Sequence, residues 1–374
     1  MKNFDYAATN PKIDDEIIDI ISEVLKTNNG NPSAVYKIGR NAKEIMENAR
    51  RNVADIFGCQ PEEIIFTSGG SEANNMAIKG VVFASTNKRK HIITTKMEHK
   101  AILETCEFLE KHGFAEVTYL EPGNMEYITP CQLEDAITED TVLISIMSVN
   151  NEVGITNPIY RLSEVAHKHG ILFHTDAVQF SRVGVPIVWK LGVDLMSISG
   201  HKFGAPKGIG VLYIKTGTPI EPLIHGGGQE FGLRAGTENI AYIVALGEAI
   251  KKLPKYDFAE QFNQTIRLRR KLKDAFKDDI KFASENSDIA GILNFAIKGV
   301  PASELQAFLD MNDICTSIGS ACSSGDPKAS HVLEALNIPE IEIHNYMRVS
   351  ISETTTDDEI EEFISLLKFY TSMR

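Results

Sequence analysis

Two short stretches of this 374-residue chain end apolar runs on side chains that can do chemistry. The first is Val193-Asp-Leu-Met-Ser-Ile-Ser199-Gly200-His201-Lys202-Phe-Gly-Ala-Pro-Lys-Gly208, where a lysine leads into a glycine- and proline-rich loop. The second, upstream, is Phe173-His174-Thr175-Asp176-Ala177-Val178-Gln179, a strand end carrying a carboxylate. An amine buried among apolar neighbours holds its proton less tightly and can serve as nucleophile and base. A lysine that forms a Schiff base and an aspartate that holds a pyridinium nitrogen are the two protein groups pyridoxal phosphate needs. Alone, Lys202 reads as a surface lysine and Asp176 as a helix cap or an ordinary strand-end acid. Their combination with a phosphate-type turn, in that order along the chain, is the stronger signal.

That turn is Ile64-Ile65-Phe66-Thr67-Ser68-Gly69-Gly70-Ser71-Glu72-Ala73-Asn74. A strand passes through small residues into a helix, with Ser71 placed to cap it and Glu72 in its first turn. Free N–H groups and the positive helix end suit a phosphate, although a plain capped turn has the same pattern. The lysine of a G-x-x-x-x-G-K-[ST] loop is missing, which argues against nucleoside triphosphates. His99, in Lys96-Met97-Glu98-His99-Lys100, also follows a strand and opens a helix; a neutral imidazole there could stack on a flat ring and move protons, or simply cap the helix. His167 and His169 are two apart near a helix end, do not share a face, and suggest no metal site.

The last candidate is Cys322, in Cys315-Thr-Ser-Ile-Gly319-Ser-Ala-Cys322-Ser-Ser-Gly325-Asp-Pro327. Small residues, two glycines and a proline make this a loop, so its thiol is expected to be accessible. An accessible cysteine becomes a nucleophile when its thiolate is favoured. The other cysteines, Cys59, Cys106, Cys131 and Cys315, form no C-x-x-C pair and fit neither a disulfide framework nor a zinc site.

These groups need a scaffold, and the pattern supplies one. Helical periodicity over 14–26, 37–57, 72–84, 100–112, 133–136 and 162–169 alternates with strand-like runs at 63–67, 91–94, 116–120, 142–147, 171–174, 195–197 and 210–214. That βαβ rhythm implies a mostly parallel seven-stranded sheet in an α/β domain. Near Leu253-Pro254 the pattern changes to a long charged helix over 258–276, short strands at 281–283, 292–296 and 347–351, and helices at 303–311, 331–336 and 357–371. The run from Arg267 to Lys273 reads as the solvated face of that long helix. We therefore expect a large domain over 12–256 and a smaller α+β domain from 1–11 and 257–374 that carries the Cys322 loop. A ligand site is expected between them, beyond the carboxyl ends of the parallel strands.

Composition agrees with an ordinary enzyme: 43% apolar and 24% charged residues, in a chain long enough for two cores. The net charge of -13 argues against broad binding to nucleic acid or anionic membranes. No apolar run approaches a membrane span and no secretory segment is recognisable at Met1-Lys-Asn-Phe-Asp, so a cytoplasmic location is the simplest expectation.

Taken together the motifs resemble the class V aminotransferase group of pyridoxal phosphate enzymes, of fold type I, and within it the cysteine desulfurases of the nitrogenase-maturation and housekeeping iron–sulfur type. The resemblance runs from Phe4-Asp5-Tyr6-Ala7-Ala8-Thr9 and Gly30-Asn31-Pro32-Ser33, through Met97-Glu98-His99, Val149-Asn150-Asn151-Glu152, His174–Gln179 and Ser199–Lys202, to His225-Gly-Gly-Gly-Gln229-Glu230, Arg234-Ala-Gly-Thr237-Glu-Asn239, Gly319–Gly325 and Arg348. It implies that Lys202 carries the cofactor and then moves the substrate's Cα proton. It further implies that Asp176 keeps the ring nitrogen protonated, Gln179 bonds the ring's phenolic oxygen, and His99 stacks on the ring as acid/base. Gly70, Ser71, Ser199 and His201 would hold the phosphate, with Thr237 reaching in from a second subunit of a homodimer. Asn151 and Arg348, with Asn31, would bind the substrate carboxylate, for which a planar guanidinium is suited. Cys322 would take the sulfur of L-cysteine as a persulfide, release alanine, and pass the sulfur to an acceptor protein, an iron–sulfur scaffold or a thiolation factor.

Other activities implied by the same likeness are selenocysteine lyase and class V aminotransferase, the latter needing no loop thiol; an idle pyridoxal-binding scaffold is a further alternative. Two positions depart from the pattern: Phe231 where arginine is common, and Ala235 where serine is common. The sequence also ends at Thr371-Ser-Met-Arg374, soon after its last helix, where longer relatives carry a tail that docks an iron–sulfur scaffold.

Overall fold

The computed structural model describes residues 1–123, 125–285, 290–319 and 330–374. Its centre is a seven-stranded sheet in the spatial order Ile64–Thr67, Gly210–Ile214, Leu195–Ser199, Leu172–Asp176, Thr141–Ser145, His91–Thr95 and Glu116–Leu120. Only Gly210–Ile214 runs against its neighbours. The other six point the same way, so their carboxyl ends share one edge. Most of these strands are continuous runs of buried residues, as expected when helices cover both faces.

One face packs a core of Met46, Val53, Phe57, Phe173, Ile198 and Leu246; the other packs Ile65, Met76, Ile78, Ile102, Leu109 and Leu212. The helix Lys37–Phe57 shows how sequence sets the first of these: Gly39, Ala42, Met46, Ala49, Val53 and Phe57 recur at helical spacing and are buried. Its partner, Ile240–Ile250, was not evident from periodicity. Its composition, IAYIVALGEAI, is apolar all round, and a helix wrapped on all sides loses the polar stripe that makes helices readable.

After Phe258–Phe276, a three-stranded antiparallel sheet (Tyr346–Ser350, Ile292–Ile297, Ile280–Phe282) packs a separate core with Leu268, Leu272, Phe295, Val349 and Phe363. Phe4 joins that core, stacked on Phe363 at 4.7 Å between centroids. Lys2–Asn3 pairs with Ile314–Cys315, a two-residue ladder too short to register in the sequence pattern. The basic run on the long helix is not uniformly solvated: Arg269 is buried, donates to Ser284 O at 3.0 Å and stacks over Phe282. Its fork can satisfy a carbonyl while its plane covers a ring.

Candidate active site

The loops at the carboxyl edge of the large sheet enclose a cavity of about 180 Å³. Each strand end contributes. Asp176 closes Leu172–Asp176, and Ser199 closes Leu195–Ser199 before the single turn Gly200–Lys202. Met147 and Asn151 follow Thr141–Ser145, His99 follows His91–Thr95, and Gly70 and Ser71 follow Ile64–Thr67. From the smaller sheet comes Arg348. Of the expected site residues, the structure thus brings Lys202, Asp176, Gln179, His99, Gly70, Ser71, Ser199, His201, Asn151 and Arg348 to one cavity. Asn31 and Thr237 are exposed and do not line it. Cys322 lies outside the described residues.

The Asp176 carboxylate accepts from Asn74 Nδ2 at 2.7 Å and from the Val178 N–H at 2.9 Å. Lys202 Nζ donates to the carbonyls of Ala7 and Ala8, both at 2.7 Å, so the N-terminal segment holds the amine at the cavity wall. Gln179 Nε2 donates to the same Ala7 carbonyl at 2.8 Å. His201 Nδ1 lies 3.0 Å from Thr9 Oγ1, and burial, followed by the charges of Lys202 and Lys207, pushes its pKa down to about 4.

His99 caps its helix and also reaches the cavity. Its Nδ1 accepts the Ala101 N–H at 3.1 Å, capping Lys100–Lys111, while the ring also lines the cavity. An Nδ1 used as an acceptor leaves Nε2 as the atom that holds a proton in the neutral ring. Arg348, 1% exposed, donates to Asn151 O at 2.8 Å and Asp5 Oδ1 at 2.6 Å, while its Nε is buried without a partner among the described residues. Nearby Arg182 has its pKa lowered to about 10, first by burial and then by the Arg348 charge.

The phosphate-type turn needs one correction. The helix runs Gly70–Ala84 with Gly69 as its N-cap, so Ser71 is a first-turn residue and not the cap. Gly69 has φ 152, a backbone that L side chains rarely adopt. A Cβ on the facing Gly210 would sit 2.7 Å from Gly69 Cα, so the reversed strand needs a glycine to pass this turn. Glu72 does occupy the first turn; it accepts the Ser68 N–H at 2.9 Å and pairs with Arg234.

His167 and His169 go to separate acids, Asp194 at 2.8 Å and Glu134 at 2.6 Å. Among the described residues no three His, Cys, Asp or Glu side chains cluster as metal ligands. Cys59 and Cys106 are pushed up to about 12, chiefly by burial; Cys131, in contrast, is exposed. No helix among the described residues is long and apolar enough to cross a membrane.

Two residues here escaped assignment from sequence. Asn74 sits within the phosphate-type motif, but nothing local shows that it reaches Asp176. Glu98, also inside a quoted motif, is fully buried beside the site and its pKa is raised to about 8.

The cavity fits pyridoxal phosphate by its own unsatisfied groups. Gln179 Oε1, Asn74 Oδ1 and Arg348 Nε are buried with no hydrogen-bond partner among the described residues, which a native interior avoids unless a bound group meets them. A helix N-terminus, two hydroxyl residues and His201 offer a place for the phosphate. Fold and site together define a fold-type I pyridoxal phosphate enzyme.

The aminotransferase class-V family model matches residues 2–363, and the chain belongs to that family. It is 44% identical over 370 residues to "Cysteine desulfurase IscS" of Dictyoglomus turgidum, covering 97% of this chain and 93% of that one. To the protein of the same name in Methanosarcina thermophila it is 41% identical, covering 97% and 90%. Among solved structures, a "NifS-like protein" superposes with a TM-score of 0.89 at 33% identity, each chain covered completely. "SspA in complex with cysteine" superposes with a TM-score of 0.83 at 36% identity, covering 95% of this chain and all of that one.

Proposed function

We propose that this protein is a cysteine desulfurase that removes the sulfur of L-cysteine, releases L-alanine and leaves a persulfide on Cys322 for an acceptor. The observation that carries the chemistry is the convergence of Lys202, Asp176, His99 and Arg348 on one cavity at the sheet's carboxyl edge. Support for the substrate comes from relatives named as cysteine desulfurases and from a structural neighbour described in complex with cysteine.

Bound pyridoxal phosphate would supply an electron-withdrawing ring that makes the substrate's Cα–H acidic. The protein's own groups do the rest. Asp176, kept in place by Asn74 and the Val178 N–H, presents its negative charge to the ring nitrogen. Gly70, Ser71, Ser199 and His201 would hold the phosphate, and Gln179 would bond the ring's phenolic oxygen. Lys202 Nζ, restrained by the Ala7 and Ala8 carbonyls, anchors the cofactor and exchanges the Cα proton. Arg348 and Asn151 seize the substrate carboxylate, for which the buried guanidinium has an Nε–H that meets no acceptor among the described residues. His99 holds or gives up a proton at Nε2.

In the sulfur step the substrate C–S bond breaks and a bond forms between its sulfur and Cys322 Sγ. The carbon takes a proton to become the methyl group of alanine, and the transferred sulfur leaves as Cys322–S–SH. A loop residue suits this task because the sulfur must be taken at the cavity and delivered elsewhere.

The domains are assigned as 12–256 and, together, 1–11 with 257–374; the packing of Phe4 in the small-sheet core supports that grouping. Thr237, exposed in one chain, is assigned to a site completed by a second subunit of a homodimer, and Asn31 to the substrate carboxylate with Asn151 and Arg348. The acceptor is an iron–sulfur scaffold or a thiolation factor, and the enzyme works in the cytoplasm.

The test is incubation of holoenzyme with L-cysteine. Expected are alanine and sulfide in the presence of a thiol, and one added sulfur on Cys322 by mass spectrometry. Absence of alanine, or full activity in Cys322→Ala, would overturn the reading.

A further inference from the structure

Two buried carboxyls stand at this site, and their surroundings differ. Both oxygens of Asp176 are met by donors. Glu98 Oε1 accepts from Thr95 Oγ1 at 3.0 Å and from the Met147 N–H at 2.9 Å, but its Oε2 is buried with no partner among the described residues. An ionised carboxylate with an orphan oxygen in a dry interior is costly, and neighbouring carboxyls in such a place do not both ionise readily. The proton belongs on the member with the orphan oxygen.

Glu98 also builds the cavity. Its two hydrogen bonds tie the end of His91–Thr95 to Met147, and its own carbonyl accepts from His331 Nε2 at 2.9 Å. The flanking turn is fastened by Asn150 Nδ2, which donates to Met97 O at 2.8 Å. Met147 and the adjacent His99 are cavity walls.

We infer that Glu98 is a positioning residue that stays protonated in the working enzyme, so that Asp176 is the ionised member of the pair. The inference rests on the pyridoxal phosphate reading of this site. A single negative charge then faces the cofactor's ring nitrogen. His99 is spared a neighbouring anion that would hold its imidazole in the charged form and spoil it as a proton shuttle. Burial is the first cause that raises the Glu98 carboxyl to about 8, and the charge of Asp176 raises it further. The other groups facing it are the Cys106 thiol, from the helix that follows, and the His331 ring on its carbonyl.

The sign of the stability effect follows. A carboxyl raised from 4.5 to about 8 contributes stability that is present below pH 4.5 and lost as pH rises toward 8. Glu98→Gln, which keeps the shape and cannot ionise, escapes that loss.

The experiment is an infrared difference spectrum of holoenzyme at pH 7, wild type minus Glu98→Gln, with thermal unfolding of both from pH 4.5 to 8. Expected are a protonated-carboxyl C=O band in the difference and a melting temperature of Glu98→Gln that gains on wild type as pH rises. Turnover adds a third readout: Glu98→Gln keeps at least a third of wild-type kcat while Glu98→Ala loses more than tenfold. A carboxylate band, or parallel melting curves, overturns the inference. The spectrum and the melting curves need no turnover, so they fail independently of the desulfurase reading, which stands or falls on alanine and the Cys322 persulfide.

Discussion

At the scale of residues, the site depends on buried charged side chains held by partners, Asp176 by Asn74 and Arg348 by Asp5. Arg348 loses its fork geometry in Arg348→Lys, and hydrogen bonds to charged groups contribute about 1.5–3 kcal/mol. The predicted outcome is a KM for L-cysteine raised roughly 10- to 150-fold, with circular dichroism unchanged. Steady-state kinetics decide it, and an unaltered KM removes Arg348 from substrate binding. Asn74→Ala is predicted to weaken retention of the cofactor by about tenfold or more, because Asp176 loses its 2.7 Å donor. Dialysis followed by the residual visible absorbance measures this. Residue identity was legible here because Lys202, Asp176, His99 and Arg348 sit in motifs whose types match one chemistry. Asn74 and Glu98 lie within such motifs, but their roles are not legible there, since they meet Asp176 and Met147, distant in sequence.

At the scale of elements, the parallel strands are held by buried polar struts as well as by apolar faces. His174 is fully buried, with Nδ1 2.8 Å from Ser145 Oγ and Nε2 3.0 Å from Ser197 Oγ, so one ring bridges three strands. Burial lowers its pKa from 6.5 to about 3. A depressed histidine contributes stability that is present above pH 6.5 and lost as pH falls toward 3. Urea unfolding is therefore predicted to show wild type weakening over that window more steeply than His174→Gln; equal slopes would remove the strut from the acid response. The strands themselves were readable to within a few residues, since apolar runs bounded by turns mark them. Boundaries moved where hydrogen bonding decided them. Pro130–Ala136 starts earlier than expected through the Thr129–Gln132 capping box, and Gly70–Ala84 starts at a glycine cap with no side-chain signature. Ile240–Ile250 stayed hidden because burial on every side leaves no period to read.

At the scale of the whole molecule, one buried ion pair joins distant parts of the large sheet's surroundings. Arg50, 1% exposed, makes a bidentate pair with Glu230 at 2.8 and 2.9 Å and donates to Ile64 O at 2.5 Å. Glu230 also accepts the Phe66 N–H at 2.8 Å. The guanidinium lies between the rings of Phe66 and Phe231, at 4.7 and 5.0 Å. Phe231 thus covers Arg50 with an uncharged face. An arginine at that position would instead place a second cation there. Removing one partner of a buried pair strands the other, at about 3–5 kcal/mol. Glu230→Ala is predicted to lose that much in denaturant unfolding, whereas Phe231→Ala loses about 1 kcal/mol, the scale of a partly exposed cation–π contact. If Glu230→Ala unfolds like wild type, the clamp is not a stability element.

The sequence by itself determined the class of chemistry, the alternation of strands and helices, and most of the residues that meet in the cavity. It could do so because strand ends, small-residue turns and reactive side chains are local patterns. Lys202 and Asp176 on two such ends already implied the cofactor. The tertiary structure decided what depends on enclosure and distance. It set which carbonyls restrain Lys202 and that His99 both caps a helix and lines the site. It also determined that Asn74 serves Asp176, that Asn31 and Thr237 lie outside this chain's own cavity, and that Glu98 is buried beside a second carboxyl. Burial is a property of everything that surrounds a group, and no local stretch of sequence carries it.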